Sequence, residues 1–316
     1  MSNPDKGTKR DSIPRWVHYG IWILVAVCIA LFIFSDCLFR YEGPNLPNHR
    51  GEAIKVILTI VAGVAAFYGL WVNHKRVKAL DKQIEAMNKQ NIIAEKGKVD
   101  ERFKNAIEHL GADANKSAIV LGGVHSLHRI ASERDDYRKT VFDILCSHLR
   151  NATKGRAEGE GVTIVEQTIL DLLFKHIIGE KYTYKNLVAD LTGANLTGAY
   201  LTGANLTGAY LTKVNLTEAY LTGASLTEAY LTGANFTGAY LRGANFTRAV
   251  FTGANFTEAK LRGAKLTGVH LRGVNFTGAH LKGVNFKETY LGGVIGLKNA
   301  ILDDSTILPE GFEIPK

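Results

Sequence analysis

Ala189-Asp190-Leu191-Thr192-Gly193 runs straight into Ala194-Asn195-Leu196-Thr197-Gly198 and then Ala199-Tyr200-Leu201-Thr202-Gly203. Leucine or phenylalanine recurs at every fifth residue from Leu191 to Leu291, twenty-one positions in all. A small residue, nearly always Ala or Val, stands two places before each, and the other positions hold Asn, Tyr, Thr, Gly or charged residues. A period of five fits neither the 3.6 of a helix nor the 2.0 of a strand. An apolar pair recurring at that spacing needs a chain that turns after every unit, with both members facing inwards. Such repetition decides the fold before local propensity does.

The run from Leu187 to Gly296 repeats Ala, then Asp or Asn, then Leu or Phe, then two freer residues, with Tyr often in the second place. In this it resembles the pentapeptide-repeat family. The resemblance implies a right-handed quadrilateral β-helix with four units to a coil and the Leu/Phe and Ala/Val side chains stacked inside. About five coils at the strand spacing of about 4.8 Å would stand roughly 25 Å tall. A cap at each end is implied too. Ile301, Leu302, Leu308, Phe312 and Ile314 are expected over the last coil, and a helix at 163–178 over the first. Arg102–Arg150 resembles a helical region that precedes such repeats in bacterial membrane proteins, with Val120 where that region has an arginine before Leu121-Gly122-Gly123.

With four units to a coil, residues 20 apart share a column. Asn195, Asn215, Asn235, Asn255 and Asn275 form one, suited to a ladder of amide hydrogen bonds. Tyr200, Tyr220, Tyr240, Lys260 and His280 form another, beside Thr202, Thr222, Arg242, Arg262 and Lys282. That face grades from aromatic to basic, and His270 and Arg272 are expected to continue its basic end on the next face. The candidate binding surface is therefore Tyr200, Tyr220, Tyr240, Arg242, Lys260, Arg262, Arg272, His280 and Lys282. It reads either as solvated drift of the repeat or as a contact surface for a partner protein, anionic lipid or nucleic acid. Leu241 is expected to be fully buried, and Thr237 to point outwards and matter by no more than about 0.5 kcal/mol.

Ahead of the repeat, Trp16–Phe39 and Ala53–Val72 are each long and apolar enough to cross a bilayer as helices. The first is too long for a signal-peptide core and lacks a small-residue cleavage site. Arg40–Glu52 between them carries Gly43-Pro44 and Pro47, so the pair reads as a hairpin. Lys6, Lys9, Arg10 and Arg15 before it, and Lys75, Arg76, Lys78 and Lys82 after it, place both termini in the cytoplasm of a bacterial inner membrane. Val77, Leu80, Ile84, Met87, Asn91 and Ala94 then alternate spacings of three and four. They read as a short coiled-coil seam, and so a homo-oligomer contact, or as the apolar face of a helix on its own domain. Gly97 is expected to interrupt this helix, and Gly111 to end the next.

The expected organisation is a tail at 1–15, the hairpin at 16–72 and a spacer at 73–99. A helical capping domain at 100–186, the solenoid at 187–296 and a cap at 297–316 follow. The three cysteines are too scattered for a disulfide framework or a metal knuckle. His125 and His128, with Asp135, Asp136 and His148, lack a third ligand at metal spacing, so neither metal nor cofactor is expected. No nucleophile elbow, phosphate loop or zinc-protease motif occurs, and Gly122-Gly123 suits close helix packing better than phosphate binding. The family's DNA-mimicking members would need an acidic surface. Here five acids face nine bases between 187 and 296, within a chain of net charge +8. The resulting expectation is a membrane-anchored, non-enzymatic interaction scaffold. The alternative is a membrane effector, for instance in stress or phage defence, whose hairpin responds to partner binding or oligomerisation.

Overall fold

The computed structural model describes residues 49–157, 159–175 and 183–310, with ten further positions between 19 and 33. Two compact units divide the chain, Met1–Ile93 and Ala94–Lys316. Helix α1 is continuous over His49–Leu110. The expected break at Gly97 does not occur. A single exposed glycine costs a helix only about 1 kcal/mol, and no proline or capping residue beside it gives the chain another path. Gly111 closes the helix through its N–H on the Ile107 carbonyl at 3.0 Å.

In the first unit, α1 begins with an exposed apolar stretch that includes Ile54, Val56, Leu58, Val61, Phe67 and Leu70. Among the described residues it is the single helix long and apolar enough to cross a membrane. The first expected span, Trp16–Phe39, and the turn after it lie outside the described residues, apart from the scattered positions and the start of α1. At the end of the apolar stretch the Lys75 ammonium lies 4.6 Å from the Trp71 ring centroid.

The second unit starts with the last turns of α1, then α2 (Ser117–Glu133), α3 (Asp135–Ala152) and α4 (Ile164–Phe174). Ala106, Val124, Leu127, Val141, Leu145, Leu149, Ile169 and Leu173 are buried among them. Gly123 lets α1 and α2 touch: a Cβ there would stand 2.7 Å from the Leu110 nitrogen and 2.8 Å from the Ala106 oxygen. Helix α4 opens with a capping box, in which Thr163 accepts from the Glu166 N–H and Glu166 accepts from the Thr163 N–H. The Glu166 carboxylate also takes both ends of the Arg156 guanidinium, at 2.6 and 2.9 Å. Burial works against its charge, but Arg156 and the Thr163 N–H outweigh that and hold the carboxyl below its usual range.

From Asp190 onwards the chain coils with a period of twenty, as parallel bridges join Asn195 to Asn215, Tyr200 to Tyr220 and so on up each column. Two of every five residues form a turn, so a side contributes one bridging residue and no longer strand forms among the described residues. The unit Val214–Glu218 shows why this backbone can be buried. Val214 N–H closes the turn on Leu211, Asn215 donates to Ala194 one coil below, and Leu216 and Glu218 donate to Asn235 and Thr237 one coil above. The fifth donor, Thr217 N–H, goes to the Asn215 side chain. All five are satisfied, as a packed interior demands.

The fifth residue of each unit has φ near +55 to +75°, which accounts for the run of glycines there and marks Glu218 (φ 55°) as strained. Inside, the Leu and Ala positions are fully buried up to Leu231, and Phe236, Phe246, Phe251 and Phe256 then pack with ring centroids 4.6–6.4 Å apart. Thr289, standing where Ala usually does, satisfies its buried hydroxyl on the Leu266 carbonyl at 2.8 Å.

The first coil has no coil beneath it, and the helical region supplies what is missing. Asn195 N–H donates to Thr153 Oγ1, Tyr200 N–H to Gln167 Oε1, and Asn205 N–H to the Phe174 carbonyl. At the other end pairing runs past Gly296, with His280 bridging Ile301 and Asn285 bridging Ile307, spacings stretched by one and two residues. Leu302 and Leu308 pack against the core, whereas Ile301 and Ile307 are exposed bridging residues rather than part of a lid. Phe312 and Ile314 lie outside the described residues.

Candidate functional site

The outer surface of the coils carries four bridging columns, one per side. Tyr200, Tyr220, Tyr240, Lys260 and His280 share one. The three tyrosine rings stack face to face, with centroids 4.9 and 4.7 Å apart and planes within 7° of parallel. Tyr220 has a ring over each face and Tyr200 and Tyr240 over one face each, so the row presents mostly edges and hydroxyls to solvent. Above them Lys260 Nζ donates to His280 Nε2 at 3.1 Å. Partial burial, then Lys260 and Lys282, push the His280 imidazole below its ordinary value of 6.5. Arg242, Arg262 and Lys282 lie at the turn beside this column and are exposed.

Eight of the nine candidate residues thus share one side; Arg272 does not. Val250, His270 and Tyr290 form a column with Tyr210 and Tyr230, on the side opposite Lys260. The correction is a matter of phase. Each unit advances the chain by one side, and His270 lies two units beyond Lys260. The next side in chain order is Asn205, Ser225, Asn245, Lys265 and Asn285, so Lys265 extends the basic zone. Counting units in fours would have found it.

The column of Asn195, Asn215, Asn235, Asn255 and Asn275 also differs from expectation. Its ladder is mainly a relay through threonine. Asn235 Oδ1 accepts from the Thr237 hydroxyl at 2.7 Å, and Asn255 Nδ2 donates to that same hydroxyl oxygen at 3.0 Å. The link repeats from Asn215 to Asn275, with one direct amide contact, Asn215 to Asn195 at 3.2 Å. Thr237, expected to be a spectator, is a half-buried link. The coil spacing leaves a gap between successive amides that the hydroxyl two residues along fills. Those amides are occupied and make a poor docking surface.

In the helical region, His125 is exposed and His128 is hydrogen-bonding neighbour to Tyr184 at 3.3 Å. Among the described residues no group of three metal-ligating side chains converges.

Residues 189–228, 229–268 and 259–295 match the family model described as pentapeptide repeats (8 copies). HetL, a pentapeptide repeat protein involved in heterocyst differentiation regulation in the cyanobacterium Nostoc, is 32% identical over 40% of this chain and 70% of its own (TM-score 0.22). The chain belongs to the pentapeptide-repeat family. A pentapeptide repeat protein from the Arabidopsis thaliana thylakoid lumen is 36% identical over 30% of this chain and 66% of its own, with a TM-score of 0.23. One from the cyanobacterium Cyanothece is 25% identical over 43% and 78%, with a TM-score of 0.16. No curated protein matches the chain. The family match carries a right-handed β-helix with it and covers residues 189–295.

Proposed function

We propose that the chain is a membrane-anchored scaffold whose pentapeptide-repeat solenoid presents an ordered outer surface to a protein partner in the cytoplasm of a bacterium. One observation carries this reading. The interior is filled by the chain's own Leu, Phe and Ala side chains, while tyrosine edges and cations stand outside at a fixed spacing of about one coil. That is display rather than enclosure. The anchor rests on the exposed apolar stretch from Ile54 and on the second apolar run ahead of it in the sequence.

The full chain should stay with membranes through an alkaline carbonate wash; release by that wash would sink the anchor. A protein isolated with it in mild detergent should be lost from Tyr220→Ser/Tyr240→Ser at unchanged melting temperature. Retention of every partner by that variant would remove the tyrosine column from the surface. The effector reading draws support from Val77, Leu80, Ile84 and Met87, which are 47–62% exposed along α1. A second copy would cover that seam. Leu80→Asp/Ile84→Asp should then lower the mass measured by light scattering in detergent.

A further inference from the structure

The basic zone straddles one corner of the solenoid. On one side of it stand Lys260 and His280, on the other Lys265, and along it Arg242, Arg262 and Lys282. The corner itself is glycine in every coil: Gly203, Gly223, Gly243, Gly263 and Gly283. A Cβ at Gly243 or Gly263 would meet nothing within 4 Å, so no side chain shields the edge between the cations. The other corners are occupied differently. Lys213 and Arg272 project from the diagonal one, Glu218 and Glu258 from a second, and Glu228, Arg248, Lys287 and Glu288 from a third. Solenoid ion pairs among the described residues are Arg150–Asp190 and Arg248–Glu228, and neither reaches the basic corner. Asp303 and Asp304 close its C-terminal end. The Asp303 carboxylate is already taken by the Gly283 N–H, by Ser305 and by Thr306.

Like charges stacked one coil apart repel, and the arrangement is relieved when a counter-charge lies along it. The corner is a ridge, not a groove, so it fits an extended surface better than a small anion or a single strand. Stacking covers both faces of Tyr220 and one face each of Tyr200 and Tyr240, which leaves little of the platform that single-stranded nucleic acid uses for base stacking. We infer that this glycine-edged ridge docks the solenoid on the headgroups of an anionic lipid layer. The inference rests on the membrane-anchored reading, which keeps the solenoid and a bilayer together. Charge complementarity supplies the rest, because each Lys or Arg near an anionic leaflet adds to binding and salt weakens it.

The test uses the full chain in lipid nanodiscs, either all phosphatidylcholine or with about 30% phosphatidylglycerol, a charge density high enough to attract a polybasic surface. Lysine acylation is read by mass spectrometry. In anionic discs Lys265 and Lys282 should react about five-fold more slowly than in neutral ones. Lys213, on the diagonal corner, should not change. About 0.5 M salt should erase the protection, as should Arg242→Glu/Arg262→Glu at Lys265; Arg242→Gln/Arg262→Gln serves if the glutamate pair melts early. Equal rates in the two discs would overturn the proposal, as would equal protection of Lys213. Protection that appears only when an oligonucleotide or acidic protein is added to neutral discs would assign the ridge to that partner instead. A chain that does not enter discs at all fails earlier, at the anchored reading itself.

Discussion

Two sides of the same solenoid, adjacent in space and built from the same five-residue unit, use their polar groups in opposite ways. On the Asn195–Asn275 side each amide oxygen takes the N–H and O–H of the threonine two residues on, and from Asn215 onwards each amide nitrogen ties to the coil below. On the Tyr200–His280 side the rings stack on themselves and the charges beside them face solvent. The difference is a single residue per unit. An asparagine before the central leucine closes the hydrogen-bond account, and a tyrosine or lysine there leaves groups for something else to meet.

The largest effect should come from what both sides share. Leu241 is fully buried on the tyrosine side, so Leu241→Ala should lower stability by about 2–5 kcal/mol in melts of the detergent-solubilised chain. A smaller loss would mean that the core can collapse around the gap and that neither side is rigidly held.

The comparison itself is tested by one substitution made on each side at the same place in the unit. Thr237→Ala removes a hydroxyl bonded to both Asn235 and Asn255 and should cost about 1 kcal/mol. Thr222→Ala, beside the tyrosines and exposed, should stay within about 0.5 kcal/mol. Equal costs would dissolve the distinction between a self-satisfied side and an available one.

The smallest effect is electrostatic. The His280 imidazole, half-buried and facing Lys260 and Lys282, should titrate below 6.5 by NMR, and Lys260→Gln should move its midpoint up. Because the folded value is the depressed one, its contribution is intact above the ordinary histidine value. It is lost as pH falls from there towards the folded value. A midpoint at or above 6.5 would mean that the cations do not crowd the imidazole as the geometry requires.

Much of this was legible before any coordinates. The five-residue period from Leu191 to Leu291 specified the buried positions, and the twenty-residue repeat of Tyr200, Tyr220 and Tyr240 specified their column. What escaped was of several kinds. Phase errors came from reading neighbours along the chain as neighbours around the coil, which put Arg272 beside Lys260 and overlooked Lys265. Relays escaped because Thr237 looks like any exposed threonine until the coil spacing shows two amides within reach of its hydroxyl. Gly97 is a third case: a weak local preference against helix is decided by its surroundings, and α1 runs through it. The stretched pairing follows from one extra residue between Ile295 and Ile301, around Leu297–Asn299, and a second between Ile301 and Ile307, which a strict five-residue count cannot place.

The bridge spacing of twenty means that chain length acts as an angle. Inserting twenty residues would lift everything downstream by one coil and leave each column unbroken. Removing five would leave the interior packed and the repeat intact to any composition-based reading, yet turn the remainder by a quarter revolution. Deleting 221–225, for instance, would bring Asn245 over Tyr220 and swing Lys260 onto the column of Asn215. A pentapeptide-repeat surface can thus be scrambled without touching one of its residues, and relatives that share this ridge should differ in repeat number by multiples of four.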